Sequence, residues 1–186
     1  MSYGFHAAYM QIGGDMEADK QFLKDLFTDY NAGKINDDVF IGTIAAHLST
    51  DTEHVKMILA QNEHVDLRLF AYIKSLKKNY KIAMLSNVGR GGMERYFKDV
   101  NLDEYFNEII LSGEVGLTKP SPEIFALTAE RLNVKQAECV FIDDGEMNCS
   151  VASSLGFRTI LHRNEKAEDF LELKSEIETL LAGADH

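Results

Sequence analysis

No run of basic residues longer than the pair Lys77-Lys78 occurs in the 186-residue chain. Its 19 lysines and arginines are outnumbered by 30 acidic residues, for a formal net charge of −11. Nucleic acid and anionic membrane surfaces both demand a basic footprint, so neither is expected as a partner. Any phosphate group must be held by a few placed side chains rather than by the general field. Cysteine is scarce as well. Cys139 and Cys149 show no Cys-x-x-Cys spacing and no companion histidine pair, so buried reduced thiols are expected rather than a disulfide or a metal cluster. No segment approaches the roughly 20 apolar residues of a membrane span. Met1 to His6 lacks the basic and then apolar layout of a signal peptide, which makes a cytoplasmic location the expectation.

What is present is a chain with 45% hydrophobic residues, enough to bury a substantial core. From about Asp66 onward helical and strand patterns alternate, as in a doubly wound, mostly parallel α/β sheet. Helices are predicted over 66–78, 93–100, 122–132, 146–155 and 167–181, and strands over 81–86, 108–112, 139–143 and 158–161. Pro122 suits the first turn of its helix, where a fixed φ and a missing N–H cost nothing. Residues 19–63 show helical spacing alone. Phe22, Leu23, Leu26, Phe27 and Tyr30 form one stripe that Gly33 closes, Asn36 is placed to cap a second helix, and Thr50-Asp-Thr-Glu53 has the form of a capping box opening a third. The expected organisation is an α/β core from residues 1–16 and 66–186, with a helical cap over 17–65.

Chemistry concentrates at predicted strand ends, where open α/β sheets bind their ligands. Asp143-Asp144 follows the apolar run Cys-Val-Phe-Ile, and two adjacent carboxylates repel unless a cation neutralises them. The alternative is that one caps the next helix and the other is solvated. Ser86-Asn87 ends another strand, an arrangement also common in simple turns. Lys119, just before the helix that Pro122 starts, can bring a positive charge to the same place, although a lone lysine there is usually a solvated surface charge.

The order of these three signals, Ser86-Asn87, then Lys119-Pro-Ser-Pro122-Glu-Ile-Phe, then Asp143-Asp144-x-x-x-Asn, resembles the haloacid dehalogenase-like hydrolases. The likeness is nearest to the helical-cap branch that includes sugar-phosphate phosphatases and the phosphatase domain of epoxide hydrolases, and it covers roughly Phe22 to His162. The resemblance implies a Mg²⁺ site at Asp143 and Asp144. It implies phosphoryl oxygens held by Ser86 and Lys119 in a pocket lined by Asn87, and a phosphorylated small molecule as ligand. In such enzymes an aspartate on the first strand attacks phosphorus. No Asp-x-Asp precedes the helical insert here, and the best match is Ala7-Ala-Tyr-Met-Gln11-Ile-Gly13-Gly14, read as a strand with a glycine turn.

On that alignment Gln11 occupies the nucleophile position and Gly13 the turn beside the substrate. A neutral carboxamide neither attacks phosphorus nor adds charge to a metal site, so phosphohydrolase activity is expected to be lost or weakened. Two other readings stand beside this one. In one, residues 7–14 are not the first strand and the chain starts downstream of a genuine motif; in the other, the alignment is shifted by several residues, as the short spacing between Gly14 and Phe22 allows. An active Mg²⁺-dependent phosphatase of a sugar phosphate or nucleotide, and a non-catalytic regulatory partner, remain as alternative functions. The cap helices offer surfaces suited to a homodimer.

Overall fold

A computed structural model describes residues 3–62, 65–98, 100–163 and 169–182. The chain opens on a helix, α1 (Tyr3–Ile12), followed by α2 (Lys20–Asn31), α3 (Asp37–His47) and α4 (Thr52–Asn62). The α/β part follows as α5 (Leu67–Leu76), β1 (Ala83–Ser86), α6 (Gly92–Tyr96), β2 (Glu108–Leu111), α7 (Ser112–Val115), α8 (Pro122–Leu132), β3 (Val140–Asp143), α9 (Glu146–Ser154), β4 (Arg158–Leu161) and α10 (Asp169–Ala182). No helix among the described residues is long and apolar enough to cross a membrane.

The strand expected over residues 7–14 is a correction, because this segment is the end of α1. Phe5, Ala8 and Tyr9 are buried, and Ile12 packs against the same cluster. Their spacing of three, four and seven residues is that of one helical face. The α-helical partner is α4, and the cluster extends to Leu23, Leu26, Tyr30, Phe40, Ile44 and Val55. Residues 3–12, expected with the α/β core, therefore pack with the helical insert, which is a four-helix unit.

Local signals explain the other boundaries. Asn36 Oδ1 accepts from the Val39 amide at 3.0 Å, the expected cap of α3. At α4 the accepting side chain is Asp51, which takes the His54 amide at 2.8 Å, rather than Thr50 of the expected capping box. Asp66 caps α5 through the Arg68 and Leu69 amides. Pro122 is the first residue of α8, and Asn133 closes that helix at φ +51°.

The strands are parallel, as expected, and form two ladders. β1 pairs with β2 in register Ala83↔Glu108 to Ser86↔Leu111, and β3 with β4 in register Val140↔Arg158 to Asp143↔Leu161. No ladder joins β1 to β3 among the described residues. What joins the two halves is packing. On one face α8 and α9 bury Ile124, Phe125, Ala129 and Ala152 with Ile110, against which Leu85 of β1 and Phe141 of β3 also pack. On the other face Ile160, Leu173 and Ile177 pack with Leu69 and Leu76 of α5 and with Val140. Helices thus cover both faces, as parallel strands require.

The four-helix unit is fastened to the α/β part by a half-hidden polar knot. The Tyr30 hydroxyl donates to Asp37 Oδ1 at 2.6 Å, while Arg95 grips the same carboxylate through Nε at 2.9 Å and Nη2 at 3.2 Å. The Asp37 amide also donates to the Arg90 carbonyl, and Arg90 Nε to the Gly113 carbonyl. Gly33, at φ +70°, lies so close to Gly113 that any Cβ would collide with that carbonyl.

Candidate phosphate-binding site

The carboxyl ends of β1 and β3 meet through the side chain of Lys119. Its ammonium donates to the Leu85 carbonyl at 2.9 Å and to Asp143 Oδ2 at 2.6 Å. The Lys119 side chain is 10% exposed and that of Asp143 6%, so the pair is largely removed from water. The lysine backbone is held from both sides by one amide side chain. Asn87 Nδ2 donates to the Lys119 carbonyl at 2.9 Å, and the Lys119 amide donates to Asn87 Oδ1 at 2.8 Å. Lys119 also lies over the Phe141 ring, 5.7 Å from its centre, a contact that favours a cation. The other oxygen of Asp143 is engaged too, accepting from the Gly145 amide at 2.8 Å and from Asn148 Nδ2 at 2.7 Å.

Sequence reasoning therefore selects a group that the fold brings together: Asn87, Lys119 and Asp143, with Ser86 on the last position of β1 and Asp144 exposed at the end of β3. Two candidates do not join it. Gln11 is exposed on α1, where its Oε1 accepts from Asn62 Nδ2 at 3.1 Å. Gly13, at φ +110°, ends α1 by donating to the Met10 carbonyl and borders no strand. Both assignments depended on a strand that is a helix, so Gln11 does not stand in place of a nucleophile on β-structure.

A pocket of about 510 Å³ opens between α2 and the turn that carries Lys119. Lys20, Lys24, Thr28 and Asn31 of α2 line one side, and Asn87, Thr118 and Lys119 the other, with Phe27 and Ala32 as the apolar part. The α2 residues were missed in the sequence, although positions 20, 24, 28 and 31 form a polar stripe at helical spacing. A second cavity, of about 380 Å³ between α5 and α10, lies among Tyr72, Tyr80 and Leu181 and includes none of these groups.

Mg²⁺ takes oxygen ligands and keeps several waters, so one or two carboxylates suffice for it. Asp143 and Asp144 provide two adjacent ones, and no larger group of acidic, histidine or cysteine ligands forms among the described residues. Asp143 and Asp144 would suit a partly hydrated magnesium ion and would supply its anionic oxygen ligands. The thiol of Cys149, packed beneath β3 and β4, is pushed above its ordinary value by burial and then by Asp143. That agrees with an inert structural thiol.

Comparison with known proteins identifies the family. The sequence profile of the haloacid dehalogenase-like hydrolases matches residues 15–156. The D-ribitol-5-phosphate phosphatase of Bacteroides thetaiotaomicron is 31% identical over 169 residues, covering 84% of this chain and 82% of that protein. The (S)-2-haloacid dehalogenase 2 of a Pseudomonas species is 22% identical over 129 residues, which are 67% of this chain and 56% of that one. Among solved structures, a haloacid dehalogenase family enzyme from Bacteroides thetaiotaomicron, crystallised with magnesium and inorganic phosphate, superposes with a TM-score of 0.74. It shares 23% identity and covers 89% of this chain and 88% of its own.

Proposed function

The chain belongs to the haloacid dehalogenase-like hydrolases, and on that premise we propose that it is a phosphatase of small phosphorylated polyhydroxy compounds. The observation that carries the reading is the Lys119–Asp143 pair, held between two strand ends at a pocket that adds Lys20 and Lys24, in a chain of net charge −11. Phosphoryl transfer is mostly positioning and neutralisation of spreading negative charge. Lys119 and Ser86 hold phosphoryl oxygens in this reading, Asn87 fixes the backbone that aims Lys119, and Asp143 and Asp144 hold Mg²⁺. The metal, when bound, supplies the positive charge that a carboxylate pair needs beside a phosphate. The 31% identical ribitol-phosphate phosphatase supports the substrate class.

The assignment of Gln11 as the nucleophile position falls with α1, while the lack of an Asp-x-Asp ahead of the helical insert stands. A second reading is favoured by a different observation. Both oxygens of Asp143 are engaged, by Lys119 on one side and by Gly145 and Asn148 on the other, which suits a protein that binds phosphate and turns it over slowly.

Titration of inorganic phosphate into the Mg²⁺-loaded protein, followed by a panel of phosphate esters, tests both. Lys119→Met is expected to weaken phosphate binding at least roughly tenfold, the value of a charge-assisted contact. Unaltered binding in that variant would overturn the site. Metal-dependent turnover that Asp143→Asn abolishes selects the phosphatase, and binding without turnover selects the second reading.

A further inference from the structure

We infer that Ser112 is a positioning residue of the phosphate site, its buried hydroxyl fixing the turn after β1 through which Asn87 aims Lys119. The inference rests on the phosphate site proposed above and adds the group that holds it in place. Asp37, Thr128 and Ser112 are the buried polar or charged side chains among the described residues, and Ser112 alone of them is 0% exposed. The Thr128 hydroxyl stays within its own helix, donating to the Ile124 carbonyl at 2.7 Å. The Ser112 hydroxyl instead reaches a turn 24 positions away, where it accepts from the Val88 amide at 2.9 Å and donates to the Val88 carbonyl at 3.3 Å.

The strand register explains what this hydroxyl replaces. β1 and β2 pair as far as Ser86↔Leu111, so Asn87 and Ser112 stand at the next step, where the ladder has ended. A serine at a helix start commonly turns its oxygen to the amides of that same helix. Ser112 opens α7, yet its hydroxyl crosses to the end of β1. One side chain thus serves as a further rung between two backbones that are parting. The Asn87 side chain is left to Lys119, whose amide and carbonyl it binds. Val88 is 4% exposed and packs in the apolar cluster of the helical unit. Its amide, buried with it, would lose its partner without the hydroxyl, a cost that only movement of the turn relieves.

Two further contacts confine the same turn. The Gly113 amide donates to the Val88 carbonyl at 3.0 Å, and a Cβ on Gly113 would come within 2.8 Å of the Gly89 Cα and 2.9 Å of the Arg90 nitrogen. The Tyr30 ring lies against Gly89 and Gly92, with its hydroxyl held by Asp37. That enclosure settles the direction of Asn87 at the entrance of the turn, and Asn87 settles the backbone of Lys119. The lysine ammonium then stands between the Leu85 carbonyl and Asp143. A charge that is to meet a phosphate binds it better when held in place before the ligand arrives.

Calorimetric titration of inorganic phosphate into the Mg²⁺-loaded full chain tests the inference. Ser112→Ala is expected to weaken phosphate binding about tenfold, the lower end of what the outer supports of a site contribute. Thr128→Val removes a buried hydroxyl that the site does not use, and its affinity for phosphate is expected to match that of the unmodified protein. In an Asn87→Ala background, Ser112→Ala is expected to add no further loss, because both act along one path. Ser112→Cys keeps the volume and replaces the hydroxyl by a poor acceptor, so it repeats the measurement should the alanine variant not fold. Circular dichroism checks each variant. Unaltered affinity in a folded Ser112 variant, or an equally large loss in the Asn87→Ala background, would show that Ser112 only packs, and the phosphate site would stand. A loss in Thr128→Val as large as in Ser112→Ala would trace the effect to general stability and overturn the inference as well. Failure of the unmodified protein to bind phosphate would remove the site and the inference together.

Discussion

The four-helix unit and the strand ends of the α/β part are built to different standards. Around Phe40, 1% exposed, the rings of Tyr30, Phe27 and Phe5 pack at 4.3, 5.1 and 6.1 Å, and every helix of the unit contributes a buried side chain. In β1, by contrast, all four residues are half-buried, and Ile142 at the centre of β3 is 38% exposed. Side-chain contacts from Lys119, rather than a ladder, connect the two strands. The helical unit is where the fold stores stability, and the strand ends are where polar groups stay available. α2 belongs to both, with Leu23, Leu26 and Tyr30 turned to the core and Lys20 and Lys24 to the pocket.

Truncation inside the helical unit is the strongest way to break this contrast. Phe40→Ala is expected to cost about 3–5 kcal/mol in chemical denaturation, as large buried aromatics do. A loss below about 1 kcal/mol would mean that the unit is not the well-packed half. Next in size is the knot that joins the halves. Arg95→Ala leaves the Asp37 carboxylate, 11% exposed, without its two-pronged partner, and about 3 kcal/mol should be lost. Arg95→Lys should recover less than half of it, because a point charge cannot reproduce the fork. Full recovery would reduce the knot to simple charge pairing.

The smallest effect concerns acid. Hydrogen bonds from His47 and then from Tyr9 hold the Asp19 carboxyl below its ordinary value of 3.8. A carboxyl depressed in the folded state adds stability above its unfolded value and loses it as pH falls through the folded one. Asp19→Asn should therefore flatten the stability profile below about pH 4. An unaltered acid limb would show that this cluster adds nothing.

Much of the site was readable because its residues sit beside strong punctuation. Pro122 marked the start of α8 and hence the place of Lys119, and the β-branched and aromatic run Val140-Phe-Ile before Asp143-Asp144 favoured a strand. Residues 7–14 were misread because a short apolar run does not distinguish helix from strand. Extending the window back to Phe5 exposes the spacing Phe5, Ala8, Tyr9, Ile12, which only a helix places on one face. The α2 lysines were passed over for a related reason. The polar stripe of that helix has no signature distinct from an ordinary solvated face, and only the pocket gives it a facing surface. The Asp37–Arg95 pair spans 58 positions and has no local signature at all.

The two parallel ladders have a topological consequence. One four-stranded sheet has two edges, and two two-stranded sheets have four. The additional pair, along β1 and β3, lies inside the molecule, with Leu85 and Phe141 on a shared core. Natural edges are guarded by proline, bulges or inward charges. Ala83-Met-Leu-Ser86 and Val140-Phe-Ile-Asp143 carry no proline, and their one charge is the Asp143 that Lys119 already neutralises. The facing edges of β1 and β3 are thus closed by the Lys119 side chain and by core packing, with no ladder between them among the described residues.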